Sequence, residues 1–270
     1  MLSKTATIVF LAWLAVAMTA YGTEALVEAR GLWAIDGDTI MVELADGSRE
    51  QVRIISVSAP GLAACLGDKA QTASEALIKG RTIWLELDPE SGMDRRDRNR
   101  LLAHVFLEPV QTPSAHLGTR LAEQGLAKLD VRDPRDEWPE DHFDIRYVSW
   151  IIAAQVEAAK RKSGWWGECD PYRDSDLVIA AIKQWGDEET VYMVNRGAES
   201  IDVSRLELKD SAGNSFVPHE PCILPSGGIL LIHSGPICTG RKGQHTPCGE
   251  PKIEWCWWGR RVWDNRGDEA

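Results

Sequence analysis

Two apolar, β-branched runs, Thr39–Leu44 and Gln51–Val57, are separated by a stretch containing Asp46-Gly47. An Asp-Gly pair accepts the backbone angles of a tight turn, so the runs are predicted to fold back on each other as an antiparallel hairpin. The chain is strand-rich from Leu26 onward, and Thr82–Leu87 and Leu101–Leu107 read as two more strands. A helix is expected from Asp68 to Lys79, with Asp68 as its cap, Gln71 three residues on and Gly80 as its stop. A second helix is expected over Ser114–Gln124, ended by Gly125. Ile145, Val148, Ile152 and Val156 form one apolar stripe at helical spacing, which predicts a third. Five strands with a helix between the third and fourth, and helices after the fifth, predict an oligonucleotide-binding-type (OB) β-barrel with helices packed outside.

Near Gly164–Asp176 the texture changes. Leu177–Ile182, Thr190–Val194, Ile201–Leu208, Ser215–Val217 and Gly228–His233 are short strand-like runs with Gly and Pro turns and no helical stripe. That pattern predicts a β-sandwich. The expected organisation is a leader over 1–25, a barrel domain over 26–168 and a sandwich domain over 176–270, divided near Cys169.

The leader is read from Lys4 followed by an uncharged stretch, Thr5–Ala20, too short for a spanning helix. Cleavage is expected after Gly22 or Ala25, giving an exported bacterial protein, periplasmic or secreted, with no membrane span in the mature chain. All six cysteines, Cys65, Cys169, Cys222, Cys238, Cys248 and Cys256, follow the leader, which points to disulfides. Zinc is the rival reading, because His233 and His245 lie among the last four, but the tight paired spacing of zinc ribbons is missing. Four cysteines allow three pairings. The short Gly- and Pro-containing loop favours Cys238–Cys248, which leaves Cys222–Cys256, and Cys65 then pairs with Cys169.

Net charge is −11, and both halves of the chain are acidic. Bulk charge therefore argues against a polyanion binder, and any nucleic-acid contact must be local. The best local candidate is Arg95, Arg96, Arg98 and Arg100, interleaved with Asp94 and Asp97, a pattern that also fits a solvated loop.

Ile35-Asp36-Gly37-Asp38-Thr39-Ile40 places two carboxylates about a glycine at the start of a strand, an arrangement able to offer oxygen ligands to a hard cation. Gln51-Val-Arg53, Ala59-Pro60, Arg100-Leu-Leu-Ala103, Gly125-Leu-Ala-Lys128 and Gly164-Trp-Trp-Gly167 follow in order. This ordered series resembles the staphylococcal nuclease (thermonuclease) family over roughly residues 26–168. The resemblance implies phosphodiester hydrolysis with a calcium ion. Asp38 would be its first ligand, Asp36 would sit in the outer shell, and Arg53 and Arg100 would hold the phosphate through paired N–H donors.

The chain departs from that family at the chemistry. Where the family carries its second calcium carboxylate and its glutamate, this chain has Ser58 and Gly61 in Ser58-Ala59-Pro60-Gly61. Arg98, Val131 and Asp133 stand where the family stacks nucleotides on tyrosines. Calcium binding is accordingly expected to be weak. Arg53 has a second reading, as a structural residue paired with Asp38 across the barrel.

Val194-Asn195-Arg196-Gly197, Ile201-Asp-Val-Ser204, Leu208-Lys-Asp210, Leu224-Pro-Ser-Gly-Gly228 and Trp263-Asp-Asn-Arg-Gly-Asp268 resemble the lamin-tail domain, an immunoglobulin-like sandwich, over about 176–270. Trp255, Trp257, Trp258 and Trp263 are expected in the sandwich core, with an exposed aromatic platform for a glycan as the alternative. Three functions follow. The first is a pseudoenzyme that binds or scaffolds a protein or nucleic-acid partner. The second is an active calcium-dependent phosphodiesterase, and the third a cell-wall or glycan binder.

Overall fold

The computed structural model describes residues 26–88, 100–130, 146–183, 189–210, 213–218, 221–239, 243–244 and 246–258. The expected leader, the Arg95–Arg98 run, Val131, Asp133, His245 and Trp263–Asp268 lie outside those residues.

The chain is mainly β with helices. Strands β1 (Val27–Ala34), β2 (Thr39–Leu44) and β3 (Arg49–Ile54) are followed by helix α1 (Gly67–Ile78), then β4 (Thr82–Leu87) and β5 (Leu101–Phe106). They close an OB-like barrel in the order β1-β2-β3-β5-β4, with β4 pairing back onto β1 and β3 running parallel to β5. The predicted hairpin forms: Met41 faces Gln51, Gly47 takes φ 83°, and Ser48 N–H donates to the Asp46 carboxylate at 2.9 Å. Ile40, Val42, Val52, Ile54, Ile83, Leu85, Leu101 and Val105 fill the interior.

The expected strand Gln51–Val57 stops at Ile54, because Ser56 at φ 64° turns the chain. Val57–Ser58 instead forms a two-residue pair with Lys128–Leu129. Helix α1 begins at Gly67 rather than at an Asp68 cap, and no side chain caps it. A Cβ on Gly67 would lie 2.0 Å from the Gly61 carbonyl oxygen, so close backbone contact replaces the capping box. Gln71 instead bonds the carbonyls of Ala34 and Ile35, both at 3.1 Å.

Helices α2 (Leu117–Glu123) and α3 (Val148–Lys160) follow the barrel strands, then a single helical turn at Trp165–Glu168. The Gly125 and Gly164 motifs meet back to back, where a Cβ on either would fall within 2.6 Å of the other segment's backbone oxygens. Trp165 N–H donates to Gly125 O at 2.9 Å across that contact.

A five-stranded sheet follows, built from β6 (Leu177–Lys183), β7 (Glu189–Asn195), β8 (Ile229–Ser234), β9 (Lys252–Trp258) and the short Gly243–Gln244 strand. β8 and β9 run parallel, an arrangement the sequence pattern did not suggest. The expected strand Ile201–Leu208 is broken. Ile201–Asp202 pairs with Ile223–Leu224, and Leu208–Lys209 pairs with Ser215–Phe216. Val191, Met193, Leu230, Ile232 and Ile253 pack against Val203, Leu208, Phe216 and Leu224. Trp255 and Trp257, two apart on β9, both point into this core with ring centroids 5.7 and 5.8 Å from Phe216. Those two rings are therefore not available for a glycan platform.

Helix α3 joins the two halves. Ile151 and Ala154 belong to the barrel core, while Val148, Ile152, Val156 and Ala159 pack with Val178, Ala180 and Val194 of the sheet. Buried Gln155 accepts from Leu129 N–H at 2.7 Å and donates to Ala180 O. Arg196, whose side chain is fully buried, donates to the carbonyls of Ser175, Trp166 and Tyr172 and pairs with Asp170. It thereby fixes the connecting segment. Among the described residues, no helix is long and apolar enough to cross a membrane.

All six cysteines are bridged, leaving none for zinc. Cys65–Cys169 forms as expected, but the other two pairings are Cys222–Cys248 and Cys238–Cys256, not Cys238–Cys248 and Cys222–Cys256. Strand register explains the correction. Cys256 lies opposite His233 on parallel β8, and the Pro236–Cys238 turn just after β8 brings Cys238 to it. Gly249 N–H donates to Ile223 O at 3.0 Å, which sets Cys248 beside Cys222.

Candidate functional site

The barrel brings together the start of β2, the end of β3 and the turn after it. Asp36-Gly37-Asp38 forms a tight bend before β2, with Asp38 N–H donating to the Asp36 carboxylate at 3.0 Å. A Cβ on Gly37 would sit 2.5 Å from Ala59 Cβ and 2.8 Å from Ala70 Cβ, so the bend needs glycine for space. The Asp-Gly-Asp string is thus explained by packing as much as by ligand chemistry.

Asp38 is 7% exposed, and its carboxylate is already engaged. Ala59 N–H donates to Oδ2 at 2.6 Å, Thr39 Oγ1 to Oδ1 at 3.2 Å, and Arg53 Nη1 lies 3.2 Å from Oδ1. Burial pushes the Asp38 carboxyl above its ordinary value, against the opposing pull of Arg53 and the Ala59 N–H. The neighbouring Asp36 carboxylate works in the same direction as burial.

Arg53 Nη1 donates to Ile54 O and Val57 O, both at 2.8 Å, and approaches Asp38 O at 3.4 Å. Its Nη2 pairs with Asp130 at 3.4 Å. The guanidinium therefore braces the turn at Ser56 from inside, with its side chain 14% exposed. Asp130, just after the Lys128–Leu129 strand, was not singled out in the sequence. Its signal was an acidic residue two beyond Lys128 in the Gly125-Leu-Ala-Lys128 string.

Arg100 enters β5 next to this cluster, and its Nη1 donates to Thr39 Oγ1 at 3.3 Å. Ser58 is half-buried and faces Lys128 across the short strand pair, rather than pairing with the Asp38 region. Ser58 nonetheless adjoins Asp38 through the Ala59 N–H. Gly61 has an ordinary φ, and a Cβ built on it meets no atom within 4 Å.

Lys128, named in the sequence only as the end of the Gly125-Leu-Ala-Lys128 string, lies against two indole rings. Its Nζ lies 3.9 Å from the Trp165 ring centroid and 5.1 Å from that of Trp166. Burial lowers its pKa from the usual 10.5 to about 8, with Asp170 pulling in the opposite direction. Between those two values the unfolded chain keeps the proton that the fold has released, so Lys128 makes stability rise with pH. Urea unfolding at pH 7.5 and 10 tests this, with wild type expected to gain relative to Lys128→Met over that range, within the span set by the shift. An unchanged difference between the two proteins would contradict it.

No family model matches the chain, and no curated protein matches it at a significant level. Among the described residues, no group of three or more His, Cys, Asp or Glu side chains gathers into a metal cluster.

Proposed function

We propose that this chain is a nuclease-fold protein whose nuclease-like site has become a structural brace, and that it acts as a binding or scaffolding module rather than a hydrolase. The observation that carries this reading is the bonding of Arg53. The arginine that the resemblance assigns to the phosphate bonds two carbonyls and two carboxylates of its own chain. A phosphate would have to break those bonds to bind there.

The donor set also fits a calcium ion poorly. Calcium takes six to eight oxygens and binds more tightly as ligand charge rises. Here Asp38 spends its oxygens on an N–H, a hydroxyl and a guanidinium, which sets a positive charge where the metal would need room. Ser58 and Gly61 add no charge. Calorimetric titration of the natural protein with calcium is expected to show no saturable micromolar binding. Such binding, if abolished by Asp38→Ala, would favour the calcium-dependent phosphodiesterase instead.

For the second half we propose an immunoglobulin-like sandwich of the lamin-tail kind, serving as the binding module. Support comes from the five-stranded sheet packed on two short strand pairs and from the Asn195-Arg196-Gly197 motif. Asn195 bonds Glu199 O, Leu224 O and Pro225 O, and Arg196 the connecting segment, so the motif works as a structural corner. Export is proposed as well, because three disulfides with no free cysteine suit an oxidising compartment.

A further inference from the structure

Between α3 and the face of the sheet turned toward it lies a cavity of about 620 Å³. Its lining includes Ile152 and Val156 of the helix and Ile229, Leu231 and His233 of β8, with Ile237 beside them. Ile237 is 41% exposed there. The size falls in the ordinary range of small-ligand pockets.

The walls are fixed in advance. Gln155 ties α3 to Ala180 on β6, Arg196 holds Trp166 beyond the C-terminal end of α3, and the Cys238–Cys256 disulfide ties the Ile237 turn to β9. Successive exposed positions of α3, Ser149, Ala153 and Glu157, look onto the opening at one-turn spacing. The charges at the mouth cancel: Glu157 pairs with Lys160 at 2.9 Å, and Glu254 with Lys252 at 2.5 Å. An ionic head group would gain no net attraction and would compete with pairs already made.

We infer that this cavity is a binding site for a small, uncharged, largely apolar molecule. The site is separate from the nuclease-like cluster and stands whether or not that cluster is catalytic. It uses both halves of the chain, which gives α3 a role beyond joining them.

The test uses the full chain and the neutral fluorophore N-phenyl-1-naphthylamine. One probe molecule is expected to bind per chain, with enhanced emission. Dodecanol is expected to displace it at least about tenfold better than dodecanoate or dodecyltrimethylammonium of equal chain length. Ala153→Trp places an indole over the opening from an exposed helix position, so the fold should persist. It is expected to weaken probe binding by about tenfold or more. Ile237→Asp changes only the rim and is expected to weaken binding in the same direction, which keeps the test available if the first variant misfolds. Absence of probe binding to the natural chain would overturn the inference. So would unchanged binding in both variants, or displacement by either ion as effective as by dodecanol.

Discussion

Replacing Arg53 by methionine is expected to cost about 3–5 kcal/mol of stability, the usual penalty for removing one partner of a buried ion pair. Asp38 and Asp130 would be left with side chains only 10% and 15% exposed and no guanidinium between them. The carbonyls of Ile54 and Val57 would also lose their shared donor at the Ser56 turn. Urea unfolding of the variant checks this directly. An arginine kept for phosphate binding would behave differently, since removing a guanidinium held unpaired for its substrate costs the fold little. A loss below about 1 kcal/mol, the scale of an exposed pair, would therefore argue against the brace.

Removing the Cys65–Cys169 bridge by the double change to alanine is expected to cost about 4–5 kcal/mol in the chain-entropy account of loop closure. The bridge spans 104 residues, against 26 and 18 for the other two, which are each worth about 3 kcal/mol by the same account. It also pins the start of α1 to the turn after Trp165, where Leu66, Ala70 and Leu126 pack with Trp165 and Cys169. Denaturant midpoints of the natural and double-alanine proteins measure the effect. A smaller loss than from breaking Cys238–Cys256 would contradict the ranking.

The barrel was legible where local chemistry alone decides the outcome. Asp46-Gly47 could only turn, and the β-branched runs on either side alternate into a core, so the hairpin and its neighbours follow. The start of α1 was not legible, because Gly67 is chosen by a carbonyl six residues earlier in the chain and not by a capping side chain. The disulfide exchange has the same origin. The short Gly- and Pro-containing loop favoured Cys238–Cys248, but the parallel register of β8 and β9 places Cys256 beside the Cys238 turn. At the site, Asp38, Arg53 and Arg100 do converge around Thr39 and the end of β3. Asp130, and the role of Lys128, were not legible because both act through tertiary neighbours, the one on Arg53 and the other under Trp165. Arg196 was singled out as part of a motif, yet its four partners in the connecting segment depend on how the two halves meet.

Hydrolysis is what the structural brace denies to the natural chain, and restoring the missing carboxylates tests that most directly. Gly61 has open space around its would-be Cβ, so a glutamate there meets no clash, and Ser58→Asp adds a carboxylate one residue before the Ala59 N–H that bonds Asp38. A well-placed general base contributes roughly 10²–10⁴ in rate, although Arg53 would still have to leave its carbonyls to reach a phosphate. The measurement is calcium-dependent cleavage of DNA by the natural protein, by Asp38→Ala and by the Ser58→Asp, Gly61→Glu variant, side by side. The natural protein is expected to match Asp38→Ala at background, and the double variant to cleave detectably. Robust cleavage by the natural protein, abolished in Asp38→Ala, would contradict it.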